Sequence, residues 1–471
     1  MMRRAISFNE LAQVTGGNWL VSPEVSHLQG IDSWSDDSRK LSDGMLFLAI
    51  KGELTDGHKY LANAVKAGAS AVLVEDRPSD EFLAELSTSG VPCLQCASSL
   101  AAYQQLALWH RRQFPSVKVL AITGSCGKTS TKEMCAAILE QHWPGGVLKT
   151  IGSTNNHFGV PRNLLRINEE TRVAVIEMGT NHPGEIANLV SLAPPDVGVV
   201  CNIGHAHLEF FHDLEGVARE KGDLLAGTLA EGVAVYPLDA VGAQTLQEKA
   251  GDRAKYSFGA STEADVSYKY LGYHDGKFHL RLQWRSSGES REVAWNLGGI
   301  HMAANAACAA AAATALGCTP DEVASGLAVC QLPGQRLEIK EIDGVHWVND
   351  AFNANPDSMK AALDWFAEVV PADAPVVLVL GDMLELGAGA AASHIEALQY
   401  ARQKCPRAQL WTVGPLMKAA AGVDAAIQTV ANADEMATRL PALAAPGTWL
   451  LLKSSHGIGL AKLVPADSKG A

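Results

Sequence analysis

The sequence predicts an α/β protein in which helices cover mostly parallel sheets, and three observations point to this class. Apolar runs that end in Gly, Asp or Pro turns alternate with helical periodicity through most of the chain, which is typical of βα units. Near Gly124 an apolar strand leads into a glycine-bounded turn and then a helix. Polar residues repeatedly follow the carboxyl ends of apolar runs, which is where parallel sheets place their ligands.

Three domains are expected along the chain. Its 471 residues exceed what one hydrophobic core usually serves. An amphipathic helix predicted over 98–113 leads into the next strand, and strand–helix alternation starts afresh after residues 332–334, Leu-Pro-Gly. We therefore predict domains over 1–97, 98–331 and 332–471.

The first domain shows two strands with a helix between them. Met45–Ile50 and Ala69–Val74 are the apolar runs. Between them Leu61, Ala64 and Val65 mark one face of a helix, which should end at Gly68 because glycine commonly closes helices. This pattern predicts a small α/β module.

Composition and charge exclude several classes of function. A formal net charge of −13 argues against nucleic acid or an anionic membrane as the main partner. The most lipid-like run, Ala303–Leu316, is too short to span a bilayer, and no apolar signal region follows the first residues, so we expect a cytoplasmic protein without membrane insertion. We also expect a monomer. Nine scattered cysteines favour reduced thiols, and the lone Cys93-x-x-Cys96 pair is weak evidence for zinc or redox chemistry.

Residues 119–130 are the strongest functional motif. Gly124 and Gly127 let backbone N–H groups converge on an anion, and the helix that follows adds the positive end of its dipole. Lys128 would reach the β- and γ-phosphates and Thr129 would hold Mg²⁺. Ile122 stands where the first glycine of the usual G-x-x-x-x-G-K-[ST] motif belongs, so this is a short variant. The ATP-binding candidates are Thr123, Gly124, Ser125, Cys126, Gly127, Lys128, Thr129 and Ser130.

Other candidates lie at the ends of further apolar runs. Glu177 suits Mg²⁺ because carboxylates are hard oxygen ligands, although it could instead cap a backbone amide. His205 and His207 form an H-x-H pair that is weak evidence for zinc; a contact to a second metal or to phosphate, or an ordinary turn, are the alternatives. Composition makes Lys221 a surface lysine. Asp350 lies in an Asx-rich turn, which often only satisfies backbone groups, but it also suits binding of a ribose hydroxyl or of a metal-linked water.

Together these segments resemble the Mur ligase family, the ATP-dependent amide ligases of peptidoglycan precursor synthesis, over nearly the whole chain. The motifs that carry the resemblance are the runs Asp36–His58, Lys149–Pro161, Glu177–Ile186, Gly381–Gly387 and Lys453–Ser455. The resemblance implies a UDP-sugar-binding N-terminal module, a P-loop centre and a Rossmann-like C-terminal domain. A DNPR motif, typical of the diaminopimelate-adding relatives, is absent from the sequence, which favours the members that join D-Ala-D-Ala to UDP-N-acetylmuramoyl-tripeptide.

The resemblance also implies roles for individual residues. It makes Lys128, Lys221 and His205 catalytic and implies ATP with two Mg²⁺ ions. The implied metal ligands are Thr129, Glu177, His205 and carbamylated Lys221; further nucleotide contacts are Asn305, Arg336 and Asp350; substrate contacts are Ser38, Arg39, Lys51, Asp56, His58, Asn156, Asn353 and Lys453. Carbamylation is demanding, because an ordinary lysine of pKa about 10.4 has only about one amine in a thousand neutral near pH 7.

Two departures and two alternatives complete the prediction. Asn349 and His456 stand where the family pattern has Asp and Arg.

A folylpolyglutamate synthase has a similar nucleotide core, but the Asp36–His58 module argues against it. A P-loop kinase or an NTP-driven switch would use the same loop without joining two molecules, and product analysis separates these classes. A silent scaffold is disfavoured by the intact Gly-Lys-Thr.

Overall fold

The computed structural model describes residues 5–52 and 55–465, within which the strands form four sheets. The predicted α/β class is confirmed: helices alternate with strands, and most strand pairs are parallel. Residues 1–4, where no signal region was expected, and 53–54, inside the Asp36–His58 run, lie outside the described residues.

The first module contains a five-stranded sheet and a two-stranded ribbon. Its elements are β1 (Ile6–Ser7), α1 (Phe8–Thr15), β2 (Asn18–Val21), β3 (Gly30–Ile31), β4 (Ser33–Ser35), β5 (Met45–Leu48), α2 (Leu61–Lys66), β6 (Ala71–Val74), α3 (Asp80–Thr88) and β7 (Cys93–Gln95). The sheet order is β2-β7-β6-β5-β4, with β2 antiparallel to β7 and the other pairs parallel. Cys93, the first residue of β7, and Cys96, which directly follows β7, are buried free thiols.

The central segment builds the largest sheet. Its elements are α4 (Ser99–Arg112), β8 (Lys118–Thr123), α5 (Lys128–His142), β9 (Val147–Lys149), α6 (Gly159–Leu164), β10 (Val173–Glu177), α7 (Glu185–Leu192), β11 (Val197–Val200), α8 (Leu208–Phe211), α9 (Leu214–Ala226), β12 (Val233–Pro237), α10 (Ala243–Ala250), β13 (Ala254–Gly259), β14 (Val266–His274), β15 (Lys277–Trp284), β16 (Ser290–Trp295), α11 (Ile300–Ala315) and α12 (Pro320–Ala328). The order is β16-β15-β14-β13-β12-β11-β8-β10-β9.

Strand β8 lies inside this sheet, between β10 and β11 and parallel to both. Its residues from Val119 to Thr123 are buried, which explains the unbroken apolar run that precedes the glycine turn. The carboxyl ends of the three strands therefore lie side by side, with Glu177 opposite Ile122 and Val200 opposite Thr123.

The last segment is a second parallel sheet with one antiparallel edge strand. Its elements are β17 (Glu338–Ile342), β18 (Val345–Asn349), α13 (Pro356–Val369), β19 (Val376–Gly381), α14 (Ala390–Lys404), β20 (Gln409–Val413), α15 (Pro415–Ala420), β21 (Gln428–Val430), α16 (Ala433–Leu443) and β22 (Trp449–Lys453). The order is β17-β18-β22-β19-β20-β21. Each of the three large sheets lies within one predicted domain, while the boundaries after 97 and 331 stay predictions.

Hydrophobic cores connect the segments. One core contains Leu46 of the first sheet together with Tyr103 and Leu164 of the central segment. Another contains Met302 of α11 with Phe366 of α13. No helix within residues 5–52 and 55–465 is both long and apolar enough to cross a membrane.

Candidate active site

The glycine turn after β8 is tightly enclosed. Gly124 has φ 156° and Gly127 has φ 77°. A Cβ on Gly124 would lie 2.2 Å from the Cys201 sulfur, and a Cβ on Gly127 would lie 2.4 Å from Asn305 Oδ1. Both positions therefore require glycine, and the second places Asn305 directly against the turn.

The loop is held in shape by the end of the neighbouring strand β11. The Cys126 amide donates to Asn202 Oδ1 at 2.8 Å, and the Ser125 amide donates to the Asn202 carbonyl at 3.2 Å. The Ser125 hydroxyl bonds both the amide and the carbonyl of Gly204. The P-loop is thus fixed by groups that follow β11.

Helix α5 begins directly at Lys128, so its N-terminal amides and the positive end of its dipole belong to the loop. The Lys128 ammonium donates to the Gly124 carbonyl at 2.7 Å. Thr129 Oγ1 lies 3.3 Å from Ser153 Oγ. The arrangement is an anion cradle with a hydroxyl at its inner edge.

Glu177 ends β10 and is 1% exposed. Its Oε1 accepts from Asn155 Nδ2 at 2.8 Å, and its backbone amide donates to Thr150 Oγ1. No hydrogen-bond partner of Oε2 is found among residues 5–52 and 55–465, and the nearest cation, the Lys132 ammonium, is 3.9 Å away. One oxygen of a buried carboxylate therefore remains available for a cation.

Lys132 was not predicted, although it organises this part of the site. It is fully buried on α5, one turn after Lys128, and donates to the carbonyls of Thr150 at 3.0 Å and Gly152 at 2.7 Å. Its ammonium also lies 3.0 Å from Glu133 Oε1. It links the P-loop helix to the 150–155 loop.

Lys221 is buried on α9, with 1% exposure, rather than on the surface as its composition suggested. No hydrogen bond or ion pair of its ammonium is found in the described part of the chain. Burial, helped by the nearby Lys128 ammonium, lowers the pKa of Lys221 to about 7.

Arg336 connects the last segment to the P-loop. Its Nη2 donates to Thr129 Oγ1 at 3.2 Å and to Ser153 Oγ at 3.1 Å, and its guanidinium lies 3.9 Å from the centre of the Phe352 ring. Burial lowers the pKa of Arg336 from its ordinary value. Gln335 and Leu337, on either side, have φ of 66° and 52°, a conformation uncommon for such residues.

Asp350 follows β18, Lys453 ends the adjacent strand β22, and their charged groups lie 2.6 Å apart. The Lys453 ammonium also donates to the Asn353 carbonyl at 3.2 Å. Burial raises the pKa of Asp350 above its ordinary value, although Lys453 opposes this shift. Asn349, the first departure from the family pattern, is buried and accepts from the Ala351 amide. His456, the second, lies 5.9 Å from the Phe352 ring.

His205 lies at the rim. Its side chain is 47% exposed, its amide donates to Asp357 Oδ2 at 2.8 Å, and its ring Nδ1 is 3.3 Å from the same carboxylate. His207 instead faces Glu385, with Nδ1 2.6 Å from Oε2, which lowers the pKa of that carboxyl. Both histidines thus contact carboxylates of the last segment.

A cavity of about 960 Å³ brings these groups together. All three segments line it, for example through Tyr60, Glu177 and Lys453. The predicted site residues that line it are Ser125, Cys126, Gly127, Lys128, Thr129, Ser130, Asn156, Glu177, Asn305, Arg336, Asp350, Asn353 and Lys453. The predicted residues outside its lining are Thr123, Gly124, His205, Lys221, Ser38, Arg39, Lys51, Asp56 and His58.

The N-terminal candidates make contacts within their own module. Arg39 bonds Asp37, and the Lys51 ammonium lies 3.0 Å from Asp76. His58 Nδ1 is 2.7 Å from Asp56, while its Nε2 accepts the backbone amides of residues 75 and 76. Ser38, which precedes Arg39 in the chain, is half-buried.

Two candidates near the cavity have local partners. Asn156 Oδ1 accepts the amides of Phe158 and Gly159 at the start of α6. Asn353 Oδ1 accepts the Ala354 amide.

Cross-segment contacts add two residues that the sequence did not single out. Asn355 Nδ2 donates to Cys126 Sγ at 3.2 Å, and the Asp357 carboxylate accepts the His205 backbone amide. Both lie at the start of α13, where an Asn-x-x-Ser capping box predicts the helix N-terminus. That signal locates the helix, but not its contact with the P-loop.

Fold and cavity define a P-loop nucleotide-binding protein of three α/β units. A family model described as Mur ligase middle domain matches residues 122–313, one described as Mur ligase, glutamate ligase domain matches 335–456, and one described as Mur ligase family, catalytic domain matches 31–109. The chain belongs to the Mur ligase family.

Relatives and solved structures agree with this membership. The UDP-N-acetylmuramoyl-tripeptide--D-alanyl-D-alanine ligase of Escherichia coli K12 is 38% identical over 373 residues, 79% of each chain. A crystal structure of MurF from Acinetobacter baumannii has TM-score 0.86 and 30% identity, covering 98% of both chains. MurF ligase from Thermotoga maritima in complex with ADP has TM-score 0.78 and 25% identity, covering 92% of this chain and 96% of that one. The predicted family and three-domain fold class are confirmed.

Proposed function

We propose that this chain is an ATP-dependent amide ligase that joins D-Ala-D-Ala to UDP-N-acetylmuramoyl-tripeptide in peptidoglycan precursor synthesis. The observation that carries the proposal is the shared cavity, which is lined by the P-loop, by Glu177, by the Asp350–Lys453 pair and by residues of the N-terminal module such as Tyr60. The names of the relatives supply the substrates.

The reaction has two steps. A carboxylate oxygen of the tripeptide's C-terminus attacks the γ-phosphorus of ATP, the bond to the β-phosphate oxygen breaks, and ADP leaves an acyl phosphate behind. The amine of D-Ala-D-Ala then attacks the acyl carbon, loses a proton, and inorganic phosphate departs. Phosphoryl transfer of this kind depends mainly on alignment and charge neutralisation.

The P-loop residues fit this demand. The amides of residues 124–129 would hold the β- and γ-phosphates, and Lys128 would exchange the Gly124 carbonyl for phosphate oxygens. Arg336, already on the Thr129 hydroxyl, adds a second cation from the last segment. Asn305 lies against Gly127, and Asp350 is a candidate for the ribose.

Residues suited to Mg²⁺ are present at the inner edge of the loop. Glu177 Oε2 is buried without a hydrogen-bond partner in the described chain, and the Thr129 hydroxyl is a hard oxygen donor. Bound Mg²⁺ supplies neutralisation of the phosphate charge. We propose His205 and carbamylated Lys221 as ligands of a second ion.

The surroundings of Lys221 favour its carbamylation. Formation of the carbamate requires a neutral amine, whose nitrogen bonds the carbon of CO₂ while a proton is lost. Because burial lowers the pKa of Lys221 to about 7, a much larger share of this amine is neutral at pH 7 than for an exposed lysine. The carbamate oxygens would then provide a metal ligand.

The remaining assignments complete the proposal. We place the UDP moiety on the module that contains Ser38, Arg39, Lys51, Asp56 and His58, and the peptide near Asn156, Asn353 and Lys453. The contacts of Cys126 with Asn355 and of Thr129 with Arg336 join separate segments, and such closure would keep water from the acyl phosphate. We further propose a monomer in the cytoplasm.

An ADP-release assay tests this function. The protein should release ADP only when UDP-N-acetylmuramoyl-tripeptide and D-Ala-D-Ala are both present, and tripeptides with lysine or diaminopimelate at the third position should be compared. A kinase would need only one of the two substrates, and a switch would hydrolyse ATP without either. Either of those results would overturn the ligase proposal.

A further inference from the structure

The far end of the P-loop helix α5 contains a group of side chains that the ligase reaction does not use. Helix α5 has 15 residues and is therefore about 22 Å long, which separates its last residue, His142, from the phosphate cradle at Lys128. Helix α12 packs against this end. A Cβ on Gly326 of α12 would lie 2.5 Å from the Ile138 Cα, so the two helices meet at backbone contact and their relative position is fixed.

Three potential metal ligands meet where these helices pack. His142 Nδ1 lies 3.0 Å from Glu322 Oε1. One ring nitrogen of His142, one carboxylate oxygen of Glu322 and Cys318 Sγ are all within 4.8 Å of one another. The Cys318 side chain approaches from the interior, with 3% of the residue exposed, whereas the His142 and Glu322 side chains are 29% and 28% exposed. The group is thus closed on one side and open to solvent on the other.

The orientation of the group is set by its neighbours. Glu322 Oε2 accepts the amide and the hydroxyl of Thr319 in a capping box, which leaves Oε1 directed at His142. The His142 ring packs edge-on against Trp143, at 4.6 Å between ring centres. Two of the three donors are therefore already positioned.

We propose that His142, Cys318 and Glu322 bind Zn²⁺ through imidazole nitrogen, thiolate sulfur and carboxylate oxygen. This mixed donor set suits zinc, which is commonly tetrahedral and completes three protein ligands with a water. Ligand atoms at about 2.0–2.1 Å from a tetrahedral ion are about 3.3 Å apart, close to the observed nitrogen–oxygen distance. Binding replaces the His142–Glu322 contact and releases the thiol proton of Cys318 to solvent.

The consequence would be a clamp between α5 and α12. Zinc bound to the folded chain alone stabilises it by mass action, and the clamp would anchor the P-loop helix at the end opposite its phosphates. The site does not touch the reacting atoms, so its loss should alter stability more than the rate of ligation. The competing explanation is an ordinary hydrogen-bonded His–Glu pair beside a buried thiol.

Cobalt(II) binding distinguishes the zinc site from an ordinary His–Glu hydrogen bond. Protein stripped with a chelator is titrated with Co²⁺ in excess Mg²⁺ and ADP, which keep the P-loop occupied. We expect a thiolate-to-cobalt charge-transfer band at one equivalent, displaced by Zn²⁺. Cys318→Ser should abolish the band, while Cys330→Ser, a matched buried cysteine outside the group, should retain it. His142→Ala and Glu322→Gln should weaken Co²⁺ binding at least tenfold, and glutamine preserves the capping box.

Thermal melting provides the second measurement. Zn²⁺ should raise the melting temperature of the wild type and of Cys330→Ser, but not that of Cys318→Ser or His142→Ala. If Cys318→Ser does not fold, the His142→Ala and Glu322→Gln variants test the proposal by the same two measurements, the cobalt band and the shift of the melting temperature with Zn²⁺. Absence of the band in the wild type, or its persistence in Cys318→Ser, would overturn the proposal and leave only the His–Glu hydrogen bond.

Discussion

The phosphate side of the cavity and the N-terminal module both contain predicted polar site residues, yet the two regions arrange them differently. Around the P-loop, side chains that are far apart in the sequence converge: Arg336 of the last segment reaches Thr129 of the central segment at 3.2 Å, and Lys453 reaches Asp350 across two adjacent strands of the last segment at 2.6 Å. In the N-terminal module the predicted side chains pair locally. His58 with Asp56 is an example, at 2.7 Å.

The difference has a geometric origin. Parallel strands end at one edge of a sheet, so any polar residue that follows them is brought to a common place. Residues 36–52 and 55–58 instead lie mostly in turns and loops, where Asp, Ser and His side chains find nearby backbone and charge partners. A polar residue at the end of a parallel strand is therefore a better indication of a shared site than a high density of polar residues in a loop.

The largest effect is expected at the P-loop, for Lys128→Ala. Removing the ammonium leaves the developing phosphate charge without its nearest cation, and ADP release should fall by about 10³-fold or more. The ADP-release assay measures this, with circular dichroism to verify the fold. Lys118→Ala, which changes an exposed lysine at the start of β8, the strand that leads into the P-loop, should retain normal turnover. Near-normal turnover in Lys128→Ala would contradict the assignment of Lys128 to the phosphate-binding site, and with it the contrast between the two regions.

Replacing Lys221 should reduce activity nearly as much as replacing Lys128. Lys221→Ala should be almost inactive and partly restored by short carboxylates, which can replace a carbamate in the space that the side chain leaves. Lys221→Met should also be inactive but at least as stable as the wild type, because it removes a buried ammonium that has no partner in the described chain. Activity assays and chemical denaturation measure the two effects. Full activity in either variant would make Lys221 a structural residue.

Much of the nucleotide side could be predicted because its signals are local. The apolar run before Gly124, the Lys-Thr pair and the polar residue after each strand are visible in the sequence, and parallel sheets convert them into neighbours. The fold class follows from the same alternation. Asn305 and Arg336 were reached only through the family resemblance, because nothing in an alanine-rich helix or a Gly-Gln-Arg turn indicates a nucleotide.

Other features depend on tertiary packing and left no local signal. Lys132 lies on a helix among other polar residues, and its complete burial results from the 150–155 loop folding over it. The burial of Lys221 depends on how α9 packs. The charged residues beside it in the sequence suggested a surface position instead. Asp357 contacts His205 only because the last segment closes on the central one.

A smaller effect is expected for Arg336→Lys. The guanidinium bonds two hydroxyls and stacks on Phe352 at 3.9 Å, and a lysine ammonium cannot do both. We expect kcat/KM for ATP to fall by about 10- to 100-fold, a loss of about 1.4–2.7 kcal/mol in transition-state binding. Arg402→Lys, which changes an arginine paired with Asp424 away from the cavity, is the control. If kcat/KM for ATP fell equally in both variants, the contact of Arg336 with Thr129 would have no role of its own in catalysis.

The smallest effect tests the N-terminal side of the comparison. Arg39 is 86% exposed and bonds Asp37, a surface pair that contributes little to stability. If it binds the UDP moiety as proposed, Arg39→Ala should raise KM for the UDP substrate severalfold and leave KM for ATP and D-Ala-D-Ala unchanged. Arg77→Ala, which breaks a similar exposed pair with Asp80 in the same module, is the matched control and should change none of the three. An unchanged KM for Arg39→Ala would remove this residue from the substrate site and transfer the role to residues that line the cavity, such as Tyr60.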